Sequence, residues 1–237
     1  MDKIEEFKKI IDESNNMVFF GGAGVSTESG IPDFRSKDGL YNQKYDYPPE
    51  EILSHTFFFN HTEEFYKFYH DKLNSLEYEP NITHYKLAKL EQEGKLKAVV
   101  TQNIDGLHQK AGSKNVYEIH GTVMDNHCLK CHKYYDAAYV FGQDGVPKCE
   151  CGGLIKPDVV LYEEGLPEDK WIASLKAISE CDTLIIGGTS LTVYPASSLI
   201  RYFRGKNLIL INRDPTPYDN LANLVINDSL GKVFEAI

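Results

Sequence analysis

Six short apolar runs of strand-forming composition alternate with amphipathic stretches along this chain, and no other feature limits its fold as strongly. The runs are Met17 to Phe20, Ala98 to Thr101, Val116 to Ile119, Thr183 to Ile186, Leu208 to Ile211 and Leu224 to Ile226. Each predicts a buried strand. Between several of them lie helical patterns. Ile4, Phe7, Ile10 and Ile11 share one face of an opening helix, Leu87 and Leu90 repeat the spacing after Pro80, and Pro167 opens a third helix through Trp171, Leu175 and Ile178. Strands separated by helices of this length pair in parallel through right-handed crossovers. The chain is therefore expected to be α/β, with a doubly wound, Rossmann-like parallel sheet in three layers. Such a sheet takes its ligand at the carboxyl ends of the strands.

Two segments interrupt the alternation. Residues 36–78 carry a Gly/Tyr/Pro-rich loop followed by FFFNHTEEFYKFYHDKL, which has a helical amphipathic pattern and no strand; residues 126–156 hold four of the five cysteines. Both read as insertions that form a small lobe, a helical one and a zinc-binding module, over the strand ends. Residues 1–35, 79–125 and 157–237 remain as the Rossmann-like domain, with a site in the cleft between the lobes. At 237 residues and 42% apolar side chains, the chain can fill a core of this kind. Its formal charge of -10 argues against a broad electrostatic grip on nucleic acid or anionic lipid. The N-terminal stretch lacks the apolar core of a signal peptide, and no apolar run approaches the roughly 20 residues that span a bilayer, so the expected location is cytoplasmic, with no membrane association.

The first strand runs into GGAGVSTESGIPDFRS, residues 21–36. Gly22, Ala23 and Gly24 allow a sharp turn and close approach to a pyrophosphate at a helix N-terminus, although a plain tight turn would need the same residues. Thr27 stands where a dinucleotide fingerprint has its third glycine, and no acidic residue is evident at a second strand end to hold a ribose, which argues against an ordinary dehydrogenase. Asp33, Phe34 and Arg35 then put a carboxylate, an aromatic ring and a guanidinium in one loop. They fit a bound ligand, or a surface loop in which Arg35 pairs with Asp33 and Phe34 tucks into the core. The polar cluster TQNIDGLH, residues 101–108, follows the next strand. Its Asn103 and Asp105 can hydrogen-bond a ribose or a carboxamide, or cap the following helix. His120, in EIHG, ends the following strand with a glycine after it, where a histidine can face the cleft and take a proton near neutral pH.

Cys128-x-x-Cys131 and Cys149-x-Cys151, with Gly152 and Gly153 making a tight turn beside them, offer four thiolates. Four sulfurs suit tetrahedral zinc, and a metal with all four positions filled by protein is structural. His127 or His132 is the fallback ligand if one thiol does not take part. Cys181 reads as a small core residue.

The segments GAGVSTESGIPDFRS, TQNIDGLH, EIHG, the four-cysteine module, KPDVV and GGTSLTVYPA occur here in one order, and together they closely resemble the sirtuin family in its compact bacterial and archaeal form. The resemblance covers nearly the whole chain. It implies an NAD-dependent protein-lysine deacetylase that binds NAD between a Rossmann-type domain and a small zinc-bearing lobe, consumes it, and releases nicotinamide and O-acetyl-ADP-ribose. Matching positions give Ala23, Thr27, Phe34, Arg35, Gln102, Ile104, Asp105, Thr189, Ser190, Asn212 and Leu230 as NAD contacts. His120 matches the general base, with Asn103 and Asp105 beside it as catalytic residues, and Val159, Val160 and Leu161 match one wall of the groove in which an acetyl-lysine peptide adds as a strand. Protein mono-ADP-ribosyl transfer and a non-catalytic NAD or ADP-ribose binding module are the alternatives.

Two departures bear on specificity. The family's common F-G-E-x-L-P reads Tyr162-Glu163-Glu164-Gly165-Leu166-Pro167, so Glu163 replaces a glycine, and the added carboxylate favours basic residues flanking the acetyl-lysine. Sirtuins specialised for succinyl or malonyl lysine resemble one another in a Tyr-x-x-Arg pair, where this chain has Tyr66 and Tyr69.

Overall fold

The computed structural model describes residues 2–34, 39–40 and 46–237. Six strands form one sheet, all parallel: β1 (Met17–Gly21), β2 (Leu96–Thr101), β3 (Val116–Glu118), β7 (Thr183–Gly187), β8 (Asn207–Ile211) and β9 (Leu224–Ile226), in the order β3-β2-β1-β7-β8-β9. These are the six runs expected from the sequence. β1 and β7 sit side by side although they are remote in sequence, and the order reverses direction there, so loops diverge above their carboxyl ends and leave a crevice.

Alternation along the central strands divides two cores. Met17, Phe19 and Ile185 face α1 (Lys3–Glu13), α5 (Ile82–Gln92) and α9 (Leu230–Glu235), which contribute Phe7, Ile11, Leu87, Leu90, Val233 and Phe234. Val18, Phe20, Leu184 and Ile186 face the other way, onto Ile178 of α8 (Glu168–Glu180) and the 3-10 stretch Ala196–Tyr202. That is the three-layer arrangement, set by period-2 strands meeting helices with one apolar stripe.

A second sheet is antiparallel and was not expected. β4 (Gly121–Cys128) lies between β5 (Tyr134–Asp136) and β6 (Ile155–Val159). The expected edges of the cysteine module, 126 and 156, therefore fall inside β4 and β6. Against this sheet pack α3 (His55–Asn60), α4 (Thr62–Lys72) and α7 (Ala137–Phe141), and Phe57, Phe58, Phe65, Tyr66 and Tyr69 share one apolar cluster with Val123, Cys128, Cys149 and Ile155. The aromatic stretch and the cysteine segment thus bury each other, which neither is large enough to do alone. Among the described residues no helix is long and apolar enough to cross a membrane.

Candidate active site

The segment after β1 corrects one expectation. Instead of entering an α-helix, the chain makes two 3-10 turns, Ala23–Val25 and Thr27–Ser29. Gly30 then takes φ +93°, and Pro32 disfavours helix at Ile31, so helical backbone cannot propagate. What the glycines permit is contact between two loops. A Cβ on Gly24 would stand 2.7 Å from Gly188 Cα, and Gly24 N donates to Gly188 O at 2.8 Å. The turns after β1 and β7 therefore meet backbone to backbone at the crevice, and any phosphate there would meet loop amides, not a helix end.

Behind this contact lies a buried polar network. Ser26 Oγ donates to Asp105 Oδ2 at 2.6 Å, Asn103 Nδ2 donates to Ser26 Oγ at 3.1 Å, and Leu107 N donates to Asp105 Oδ1 at 2.9 Å. Asn103 and Asp105 are 8% and 7% exposed, so their side chains are held by protein and not by solvent. Burial pushes the Asp105 carboxyl above the usual range, while the Ser26 and Leu107 bonds pull it back. Through the Leu107 bond Asp105 also braces the entry to the next helical turn, from the position before its N-cap Gly106. Ser26 went unnoticed in the sequence; a buried serine beside a glycine turn gives no local sign of a partner 79 positions away.

His120 follows β3. Its Nδ1 lies 3.1 Å from the Gln102 carbonyl oxygen, which can only accept, so Nδ1 carries the proton and the neutral ring keeps its basic lone pair on Nε2. Burial lowers its pKa, and the Gln102 bond offsets part of that. Gly121 has φ +75°, and a Cβ there would collide with the Asp158 carbonyl at 1.9 Å, so glycine is required for β4 to leave the large sheet beside β6. The His120 carbonyl accepts from Val160 N at 2.9 Å. This ties the histidine to the segment Val159, Val160 and Leu161.

Other expected contacts also sit on carboxyl-end loops. Gln102 Nε2 donates to Thr189 Oγ1 at 2.9 Å, joining the loops after β2 and β7; Thr189 is buried and Ser190 exposed. Ala23 and Thr27 are half-buried on the first turn, and Thr27 Oγ1 donates to Gly24 O. Phe34 and Ile104 pack against the small-lobe cluster. Asn212 follows β8 and donates to Asp214 O. Leu230 lies at the start of α9 with its side chain in the core, where Gly187 has room for it only because it lacks a Cβ. Arg35 lies outside the described residues.

The four sulfurs of Cys128, Cys131, Cys149 and Cys151 lie within 4.8 Å of one another, with two pairs at 3.5 Å. A tetrahedral zinc with Zn–S of about 2.3 Å needs S–S edges of about 3.8 Å, so the cluster fits that ion. Lys130 N and Cys131 N donate to Cys128 Sγ and Tyr135 Oη to Cys149 Sγ, a donor set suited to thiolates. Gly153 is part of the cradle, because a Cβ there would stand 2.6 Å from Cys128 Sγ. His127 pairs instead with Asp158 at 2.9 Å.

Known proteins resemble this chain over most or all of its length. A family model described as the Sir2 family matches residues 22–195. An NAD-dependent protein deacetylase of Clostridium acetobutylicum is 62% identical over 241 residues, covering 100% of this chain and 98% of that protein. A solved Sir2 complex with a p53 peptide and NAD+ superposes with a TM-score of 0.87 at 38% identity, covering 98% of this chain and 95% of that one. A Sir2 variant bound to deacetylated p53 peptide and 3'-O-acetyl-ADP-ribose gives a TM-score of 0.89 at 38% identity, with 98% and 96% covered.

Proposed function

This chain belongs to the Sir2 family, and from that premise we infer how its own residues divide the work of the reaction. It is an NAD-dependent protein-lysine deacetylase, in which NAD is a substrate and leaves as nicotinamide and O-acetyl-ADP-ribose. The observation that carries the assignment of roles is the convergence of His120 Nε2, the Ser26-centred network and the Gly24–Gly188 contact on one set of strand ends.

An amide oxygen is a weak nucleophile, so the site must make the ribose carbon reactive by binding nicotinamide where its bond to ribose is strained toward cleavage. Phe34, Ile104 and Asp105 are proposed to shape that pocket, with Asn103 oriented by Ser26. Gln102, Thr189, Ser190, Asn212, Ala23, Thr27 and Arg35 are proposed to hold the rest of the dinucleotide. Leu230, whose side chain is committed to the core, would contribute backbone only. As the acetyl oxygen bonds to the ribose carbon, nicotinamide departs; His120 then takes a proton from a ribose hydroxyl, which attacks the acyl carbon. Addition of a water molecule there, with cleavage of the carbon–nitrogen bond, releases the lysine amine, protonated, and leaves the acetyl group on ADP-ribose. Val159, Val160 and Leu161 are proposed as the wall on which an acetyl-lysine peptide adds as a strand, a reading supported by the Val160–His120 bond, which puts wall and base in register.

The four thiolates are proposed to hold one structural zinc that fastens the small lobe and takes no part in the chemistry. We propose the division expected above: a Rossmann-like domain of residues 1–35, 79–125 and 157–237, and a small lobe of 36–78 and 126–156. A cytoplasmic location, where NAD and reduced thiolates are available, belongs to the same proposal.

Incubation with NAD and an acetyl-lysine peptide, followed by mass analysis of every product, tests the reading. Equal amounts of free-lysine peptide, nicotinamide and O-acetyl-ADP-ribose are expected. ADP-ribose attached to protein without O-acetyl-ADP-ribose would point to transfer instead.

A further inference from the structure

Glu163 has a backbone that side chains with a Cβ rarely adopt, φ +76°, at the position where the family commonly has glycine. Its carboxylate gives a reason. Oε2 accepts from both Thr56 N, at 2.8 Å, and Thr56 Oγ1, at 2.7 Å. Thr56 is in the first turn of α3, whose amides have no carbonyl partner within the helix and favour negative charge. Ser54 caps the same turn by accepting from Phe57 N, so Glu163 takes the donor that Ser54 leaves.

The neighbours extend this tie. Tyr162 uses both backbone groups on the insertion, donating to Leu53 O and accepting from His55 N, each at 2.9 Å. Glu164 reaches back to the wall, where its Oε2 accepts from Leu161 N at 2.9 Å and Lys156 Nζ at 3.1 Å, while its Oε1 meets His55 Nδ1 at 2.9 Å. Both carboxyls are held below the usual glutamate range, Glu163 by Thr56 and Glu164 by its His55, Leu161 and Lys156 partners against an opposing burial effect. Two successive carboxylates thus fasten one loop at both ends, Glu163 outward to α3 and Glu164 inward to Leu161.

We propose that Glu163 is a positioning residue for the peptide substrate. It holds the Val159–Leu161 wall against α3 before a peptide arrives, so strand addition need not pay for ordering that edge. A glycine would relieve the backbone but lose the tether and widen the loop's conformational range. The inference rests on the deacetylase reading and on the wall assigned above.

The test compares the full-length wild type with Glu163→Gly and Glu163→Gln. For Glu163→Gly, the peptide KM is expected to rise about five- to tenfold with kcat and the KM for NAD within about twofold. Glu163→Gln, whose amide oxygen can still accept both Thr56 bonds, should stay within about twofold of wild type. Amide exchange without substrate should be at least about fivefold faster at residues 160–165 in Glu163→Gly and unchanged in β1. An unchanged or lower peptide KM, parallel changes in both KM values, equal damage from Glu163→Gln, or unchanged exchange in an active enzyme would overturn the proposal. Faster exchange in Glu163→Gly, as expected, with no deacetylation by the wild type would instead overturn the reading beneath it.

Discussion

Ser26 Oγ and Asp105 Oδ2 are joined by a 2.6 Å hydrogen bond that spans the turn after β1 and the loop after β2, and Asn103 completes the chain from the other side. Among the described residues the serine is this buried carboxylate's side-chain donor, so removing it leaves Oδ2 without that bond while Leu107 N still donates to Oδ1. Ser26→Ala should destabilise the fold by about 1 to 3 kcal/mol, since a buried acceptor loses its partner. Thermal unfolding should register that loss, and kcat/KM should fall because Asn103 loses its orienting contact. A variant equal to wild type in both would refute the network's role.

His120 is the proposed base, and burial lowers its pKa. A base that must be neutral works above its pKa, so the acidic limb of kcat/KM should lie below the ordinary histidine value of about 6.5. His120→Ala should lose about 10² or more in turnover while binding NAD within a few-fold, because proton transfer contributes to the barrier and little to ground-state affinity. Near-wild-type turnover, or an acidic limb above about pH 7, would contradict the assignment.

The four thiolates make a prediction about assembly. Metal analysis should find one zinc per chain, and Cys128→Ala should lose it. Cys128 and Cys149 are members of the cluster that buries Phe65 and Tyr69, so the loss should loosen the whole small lobe. Near-ultraviolet circular dichroism of its tyrosines would report this independently of activity. A folded, fully active, metal-free protein would argue against the site.

Much of this was legible in sequence because the signals are local. The six strands of the large sheet followed from continuous apolar runs, and the sulfur cluster from two close cysteine pairs and a glycine turn. The small sheet gave no such signal: β4 reads GTVMDNHC, in which polar residues interrupt any alternation, and its partner β6 lies more than two dozen residues away. The 3-10 turns after β1 were missed because the fingerprint suggests a helix, and the veto comes from Gly30 and Pro32 beyond it. Ser26, like Glu163 on Thr56, matters only through a partner that folding supplies.

His84 and His108 are buried with ring centroids 4.7 Å apart, and both nitrogens of His108 have no hydrogen-bond partner among the described residues. Burial lowers His84 to about 4 and His108 well below its usual value, the latter also through repulsion from His84. A histidine whose folded pKa is depressed is protonated first in the unfolded chain. Its contribution is intact above about pH 6.5 and is lost as pH falls toward about 4, by roughly 3 kcal/mol for His84. Glu118, raised to about 7 by burial, works in the opposite sense over the same range, so the informative quantity is a difference between proteins. Urea midpoints at pH 7 and pH 5 should converge in His108→Leu relative to wild type. An equal drop in both would sink this account.

The acyl pocket is the last case. Holding a succinyl or malonyl carboxylate requires a buried counter-charge, best an arginine two-pronged on both oxygens. Here Tyr66, at the tyrosine position of that pair, donates its phenol to the Ile155 carbonyl and so is committed to β6. Tyr69, at the arginine position, is fully buried, with its ring stacked 5.1 Å from Phe141 and 5.7 Å from Phe65. Its hydroxyl has no hydrogen-bond partner among the described residues, and a phenol with its pKa raised by burial cannot neutralise a carboxylate. Lys67 does not substitute, because one residue along a helix turns about 100° and the side chain is exposed. An acyl carboxylate entering this lobe would be desolvated without compensation, at a cost of several kcal/mol. Acetyl-lysine, and longer uncharged acyl groups packed against Phe65 and its neighbours, should be processed at least about 10² more efficiently than succinyl-lysine. Comparing kcat/KM for acetyl, butyryl and succinyl forms of one peptide decides the matter, and equal or better values for succinyl would overturn this view of the pocket.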